Sequence, residues 1–360
     1  MKLKTFLLGS VGALLATSSS FAGSITAVSW GGAYTASQVA AYHKPWTAKT
    51  GHTVVSEDYN GGLAEVRSQV EAGNVTWDIV DVELPQAEAG CAEGIFETID
   101  WSILPDGADG TPAVDDFIPG ALHECAVANI VWSTIFAYDK SKMSGAVPTN
   151  INDFFDVKKF PGKRGIRKSP TANLEMALVA DGVPSSQVYD VLSTPEGVDR
   201  AFKKLDSIKD HAVFWEAGAQ PPQLLADGEV VMTTAYNGRI FNAVAKENKP
   251  FIIVWDAQVF STDMWAIPKG APNLDLALDF LSFSTATEQL ARQASFISYG
   301  PARKSSAPFV THYDGRPDLP MGPQMPTAPE NFKTAIPTNM EFWADNEEEL
   351  AERFNAWLSS

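Results

Sequence analysis

The stretch Ala235–Phe241, AYNGRIF, follows the apolar run GEVVMTTA and sets Arg239 beside Tyr236, Asn237 and Gly238 at the mouth of a buried strand. A guanidinium in that place offers a planar fork of donors that matches a carboxylate in bidentate fashion. The competing use is an ion pair with an acid such as Asp256, which would only anchor the strand end. Three further residues stand where β-prone runs give way to helix starts: Trp30 before Gly31-Gly32, Asn60 before Gly61-Gly62, and Glu83 closing WDIVDVE. Open α/β sheets bind ligands there, outside the carboxyl ends of their strands. Asp81 and Glu83 alternate along one strand and share a face, a pairing too slight to argue glycosidase chemistry.

Other reaction chemistry finds little support. The sequence has no GxSxG elbow and no SxxK, and its five histidines (His43, His52, His123, His211, His312) are scattered without HExxH or CxxC spacing. No metal and no cofactor is expected, and the chain reads as a binding protein rather than an enzyme. Cys91 and Cys125, 34 positions apart, are the two cysteines. One disulfide is the economical expectation for an exported chain, with two buried thiols as the alternative.

Export is indicated by the first residues, where Lys2 and Lys4 precede the apolar stretch Phe6–Ala16 and small residues run on to Ala22. This is the pattern of a secretory signal, cleaved after Ala22, and the apolar stretch is too short to span a bilayer. Of 27 basic residues the signal carries two, leaving 25 against 44 acidic ones and a formal charge of −19. Nucleic acid and anionic lipid are poor partners for such a chain.

The elements that must position these residues alternate. SITAVSW, HTVVSEDY and WDIVDVE are strand-like, with helical stretches near 34–50 and 63–72, so the spacing predicts a parallel sheet faced by helices. The alternation restarts after the long run VANIVWSTIFAYD (127–139), with helices near 173–181 and after Thr194, a predicted N-cap before Pro195. PFIIVWD and VFSTDMWAIPKGAPN then read as separate runs, 317–329 as a Pro-rich surface connection, and 344–358 as a last helix. With 45% hydrophobic residues, the chain can build two cores. The expected architecture is two α/β lobes joined by several extended strands, with a ligand cleft between them.

The collinear order of VSWGGAY, GHTVVSEDYNGGLAEVRSQVEAGNVTWDIVDVE, IVWSTIFAYDKSKM, NDFFDVKKFPGKRGIRKSP, WEAGAQPPQLLADGEVVMTTAYNGR, STDMWAIPKGAPN and SYGPARKSS resembles the extracytoplasmic solute-binding proteins of ABC importers. It is most similar to the group holding the spermidine/putrescine-binding proteins and their γ-aminobutyrate-binding relatives. That resemblance implies a periplasmic, type II-like two-lobed α/β fold that encloses a small amine or ω-amino acid. It also implies delivery of that solute to an ABC permease and its ATPase, and a monomeric state. It divides the chain into a signal peptide (1–22), lobe 1 (23–133 with 263–325), lobe 2 (134–262), and a C-terminal segment (326–360) whose helix packs back on lobe 2.

By the same resemblance, Trp30 and Tyr236 correspond to aromatic wall residues, Tyr299 to a ligand-facing tyrosine and Asp263 to the carboxylate that holds an amine. Where polyamine binders carry two acids in a lobe 2 loop, this chain has IRKSPTAN, with Arg167 and Lys168. Cations there, with Arg239, favour a ligand bearing one amine and one acid over a diamine. Glu83 takes the amine jointly with Asp263, meets Arg239 across the cleft, or faces water as a strand-end acid. Trp132, Ser133 and Trp215 can add wall or hydrogen bonds, core packing being the alternative for each tryptophan. Trp343 reads as a packing residue at a helix entry.

Overall fold

A computed structural model describes residues 22–359, so the expected secretory segment, apart from Ala22, lies outside the described residues. Nine strands of an eleven-stranded sheet position the site: β1 (Ser24–Ser29), β2 (Thr53–Asp58), β3 (Ile79–Glu83), β4 (Leu122–His123), β5 (Ala126–Asp139), β6 (Arg164–Arg167), β7 (Ala212–Trp215), β8 (Met232–Tyr236) and β9 (Phe251–Ala266). The main path through the sheet runs β2-β1-β3-β9-β5-β8-β6-β7, with β4 paired to β5. β1, β2 and β3 are parallel, as are β6, β7 and β8. Between these groups β5 and β9 run antiparallel to each other along almost their whole lengths. Strands so rich in apolar residues bury both faces, and each of these two contributes one end to each lobe.

Two cores result. The first gathers Ile25, Val28, Trp46, Val80, Val127, Trp265 and Phe280. The second gathers Phe136, Phe154, Leu174, Phe202 and Val254, together with Phe342, Trp343, Phe354 and Trp357 of the helix Met340–Ser359. The fold is therefore a two-lobed α/β architecture with β5 and β9 as its multi-strand hinge. Cys91 and Cys125 are bridged, tying the helix Leu84–Ala92 to the residue before β5, and among the described residues there is no free cysteine. Thr194 caps its helix, accepting the Gly197 N–H at 3.1 Å.

Two segments differ from the sequence reading. PFIIVWD and VFSTDMWA form one strand of 16 residues, with an irregularity where Phe136 pairs with Val254 but Thr134 with Val259. The residues left out include Ala257, held at a φ of 57°. Periodicity cannot see that the gap is bridged by the partner strand. Nor is the Pro-rich segment only a surface connection: Met321 and Met325 pack on Phe241 and Tyr313, and the Asn331 amide donates to the Pro323 and Met325 carbonyls at 2.9 Å each.

Candidate functional site

The strand ends converge on a cavity of about 620 Å³ between the lobes. Lobe 1 supplies Trp30 after β1, Tyr34, Tyr59, Glu83 at the end of β3 and Asp263 on β9. Lobe 2 supplies Arg167 at the end of β6, the turn Glu216–Ala219 after β7, and Tyr236 with Arg239 where β8 enters the helix Asn237–Glu247. Trp132 and Tyr299 complete the wall.

One pole is acidic. Glu83 and Asp263 lie directly opposite each other across β3 and β9, and Asp81 is two residues back on the same face. Asp263 is 5% exposed, and its Oδ1 accepts the Trp132 indole N–H at 2.6 Å. Burial, then the charges of Asp81 and Glu83, hold its carboxyl well above the usual range. Asp81 is fully buried behind it, which pushes its carboxyl up to about 7 against the pull of its hydrogen bonds. Those bonds come from Ser29 Oγ at 3.0 Å, Gln38 Nε2 at 2.6 Å and Asn129 Nδ2 at 3.1 Å. Among the described residues no lysine, arginine or histidine forms an ion pair with Asp81, Glu83 or Asp263. Glu83 has a second task. It caps the helix Leu84–Ala92, its side chain accepting the Gln86 N–H while Gln86 Oε1 accepts the Glu83 N–H at 2.8 Å.

The other pole is cationic. Arg239 does not pair with Asp256, which instead accepts from the Ile151 N–H and the Thr334 hydroxyl, both at 2.8 Å. Its Nη1 and Nη2 donate across the cleft to the carbonyls of Gly31 and Trp30, at 3.2 and 3.4 Å. Its Nε is buried without a partner. Gly32 permits this approach, since it has a φ of 61° and a Cβ there would meet Arg239 Nη1 at 2.7 Å. Arg167 also reaches the cavity, its guanidinium 5.5 Å from the Tyr236 ring centroid. Burial opposes its charge, but Tyr236, Glu83 and Glu347 outweigh that and raise it above its ordinary value. Lys168 is not among the lining residues and pairs with Glu216 at 3.0 Å.

Aromatic rings line the space between the poles. Trp30 packs on Tyr59 at 5.0 Å, Trp132 edge-on to Tyr236 at 5.1 Å, and Tyr34 edge-on to Tyr299 at 5.3 Å. Gly61 gives Trp30 its place, for a Cβ there, at a φ of 85°, would lie 2.3 Å from the indole. Burial pushes the Tyr236 hydroxyl up to about 12, with Arg167 pulling it down and Glu83 and Asp263 raising it.

A chain with this cleft can be set beside known proteins. The family model for bacterial extracellular solute-binding proteins matches residues 41–327. The chain belongs to that family. A γ-aminobutyric acid-binding protein of Pseudomonas aeruginosa is 45% identical over 338 residues, covering 93% of this chain and 91% of that one. An ABC transporter substrate-binding protein from Bradyrhizobium japonicum superposes with a TM-score of 0.81 at 33% identity, covering 93% of this chain and 99% of the other. A solved GABA receptor gives 0.78 at 29% identity, covering 93% and 97%.

Within this solute-binding protein, seven of the sequence-predicted site residues share the cavity: Trp30, Glu83, Trp132, Tyr236, Arg239, Asp263 and Tyr299. Two do not, and both expectations are corrected. Ser133 is fully buried and its hydroxyl donates to Gln258 Oε1 at 2.6 Å, because this position of β5 points toward the irregular turn of β9. Trp215 is 1% exposed behind Tyr236, against which it packs edge-on at 5.6 Å. Trp343 packs in the second core and donates to Glu175 Oε1 at 2.9 Å. Sequence reasoning missed Tyr34, Tyr59 and the turn Glu216–Ala219 as lining, and it grouped Lys168 with Arg167 as loop cations, of which Arg167 alone lines the cavity. The alternation in GIRKS was the available signal, since it puts Arg167 and Lys168 on opposite faces of the strand end.

Proposed function

We propose that this protein captures a short ω-amino acid, γ-aminobutyrate or a close analogue, in the periplasm and delivers it as a monomer to an ABC permease driven by its ATPase. The observation that carries the reading is the opposed charge of the two poles. Asp263, with no cation beside it, suits an ammonium, and the buried, unpartnered Arg239 Nε suits a carboxylate. Between them an ammonium gains about 0.5–2 kcal/mol over an aromatic face, and a desolvated charged pair with good hydrogen bonds gains more than a surface one. The 45% identity to a γ-aminobutyric acid-binding protein supports the same ligand class. A diamine would need a second acid where Arg167 and Arg239 stand.

Calorimetry on ligand-stripped protein tests this with two half-ligands. n-Butylamine keeps only the amine and butyrate only the acid, and each should bind on the order of a hundredfold more weakly than γ-aminobutyrate. Equal affinity for either half-ligand would contradict the two-pole reading. The ligand should also be recovered chemically unchanged after prolonged incubation.

A further inference from the structure

Asp81 has no part in the reading just given, yet its buried carboxylate is held by three side-chain donors. Its three donors come from three elements: Ser29 at the end of β1, Gln38 on the helix Gly32–Gln38 and Asn129 on β5. Asn129 is placed by a β-bulge. Ala128 pairs with Met264 and Ile130 with Asp263, so Asn129 is the extra residue and its side chain turns to Asp81. Bulges beside functional sites commonly re-aim a side chain in this way. Asp81 and Asp263 are diagonal neighbours on β3 and β9, a relation that brings side chains within about 7–8 Å or less. The Tyr34 hydroxyl, hydrogen-bonded to Asn129 Oδ1 at 3.2 Å, interacts with both carboxylates.

Two buried carboxyls on neighbouring strands, with no ion-paired cation, each raise the other's affinity for a proton. Their donors decide which one keeps the charge. Asp81 has three donors, all favouring the anion, whereas Asp263 has the Trp132 indole. The other titratable groups facing the pair leave that balance in place. Tyr42 and Tyr59 are neutral, Tyr59 donating to the Asp81 backbone carbonyl at 2.5 Å, and Glu83 adds a further negative charge. Of the two arginines, Arg167 faces Glu83, Glu347 and Tyr236, and Arg239 is turned to the Trp30 and Gly31 carbonyls with Tyr236 and Tyr299 beside it.

We propose that Asp81 is a positioning residue that keeps Asp263 protonated in the ligand-free protein, and that capture of a ligand ammonium expels this proton to solvent. The step is a displacement without redox change. The Asp263 O–H bond breaks, the proton leaves through the cavity to buffer, and the carboxylate left behind pairs with the incoming ammonium. The inference rests on the amine-binding reading above and adds a direction to it. Since binding needs the ionised carboxyl, affinity is lost as pH falls through the Asp263 titration, by about tenfold per pH unit while one proton is released.

Calorimetry in buffers of differing ionisation enthalpy counts the protons, with γ-aminobutyrate and putrescine as probes. The expected result near neutral pH is release of about one proton for each molecule of whichever probe binds. Binding without release overturns the proposal. Putrescine binding more tightly, with release, sinks the ω-amino acid reading and leaves the proton displacement supported. Failure of both probes to bind overturns both. In Asp81→Asn, proton release at neutral pH should fall and the pH dependence of binding shift to lower pH while amine binding persists. A folded Asp81→Asn protein with weaker binding and unchanged release would make Asp81 structural only and overturn its assigned role. Should that variant fail to fold, Trp132→Phe removes the donor that favours the Asp263 anion and should move the pH dependence of binding to higher pH. An unmoved profile there also counts against the proposal.

Discussion

The two poles of the cavity are built in opposite ways. At the acidic pole Asp81, Glu83 and Asp263 are crowded on adjacent strands of one sheet, surrounded by neutral donors and without an ion-paired cation among the described residues. The carboxyls are held in place by rigid backbone, and the cation they lack must come from outside. At the cationic pole the arginines are already engaged, Arg239 with two backbone carbonyls of the other lobe and Arg167 with an aromatic face. The acidic pole is thus pre-formed within lobe 1, whereas the cationic pole spans the cleft and depends on the lobes meeting. A ligand carboxylate that reaches Arg239 finds a guanidinium already linking the lobes.

The contrast gives mutations of unequal effect. Asp263→Asn should be the most damaging, costing about 3–5 kcal/mol in γ-aminobutyrate binding by removing the ammonium's buried partner. Calorimetry on the purified variant checks it, and a loss below that of Arg239→Ala would reverse the ranking of the poles. Arg239→Ala should cost about 2–4 kcal/mol by leaving a buried carboxylate unpaired. Its thermal unfolding should change little, since its carbonyl contacts are long. Arg167→Ala should cost least, about 1 kcal/mol, as a charge that already faces Glu83. A titration in which Arg167→Ala abolishes binding while Arg239→Ala does not would move the carboxylate site from one arginine to the other.

How much of this was legible in the sequence follows from the range of the forces involved. Strand ends, glycine turns and charged residue types are local, so the strand-end places of Trp30 and Glu83, the guanidinium of Arg239 and the long run that became β5 could be read directly. The family resemblance added the wall roles of Trp30 and Tyr236, together with Asp263 and Tyr299. The Asn129 bulge could not be read, because a one-residue slip between strands whose residues pair more than a hundred positions apart leaves no mark on either strand alone. Ser133 was misread for a related reason: its partner Gln258 sits in the irregular part of β9, and that irregularity exists only in the pairing. Glu83 illustrates a third limit. One carboxylate can cap a helix and face a ligand cleft together, and residue type alone does not divide the two tasks.

The central claim is that the cavity carries opposite charge at its two ends, and competition between γ-aminobutyrate and putrescine for ligand-stripped protein tests it most directly. The account predicts tighter binding of the ω-amino acid in isothermal titration at neutral pH. Putrescine binding as tightly or more so would contradict it.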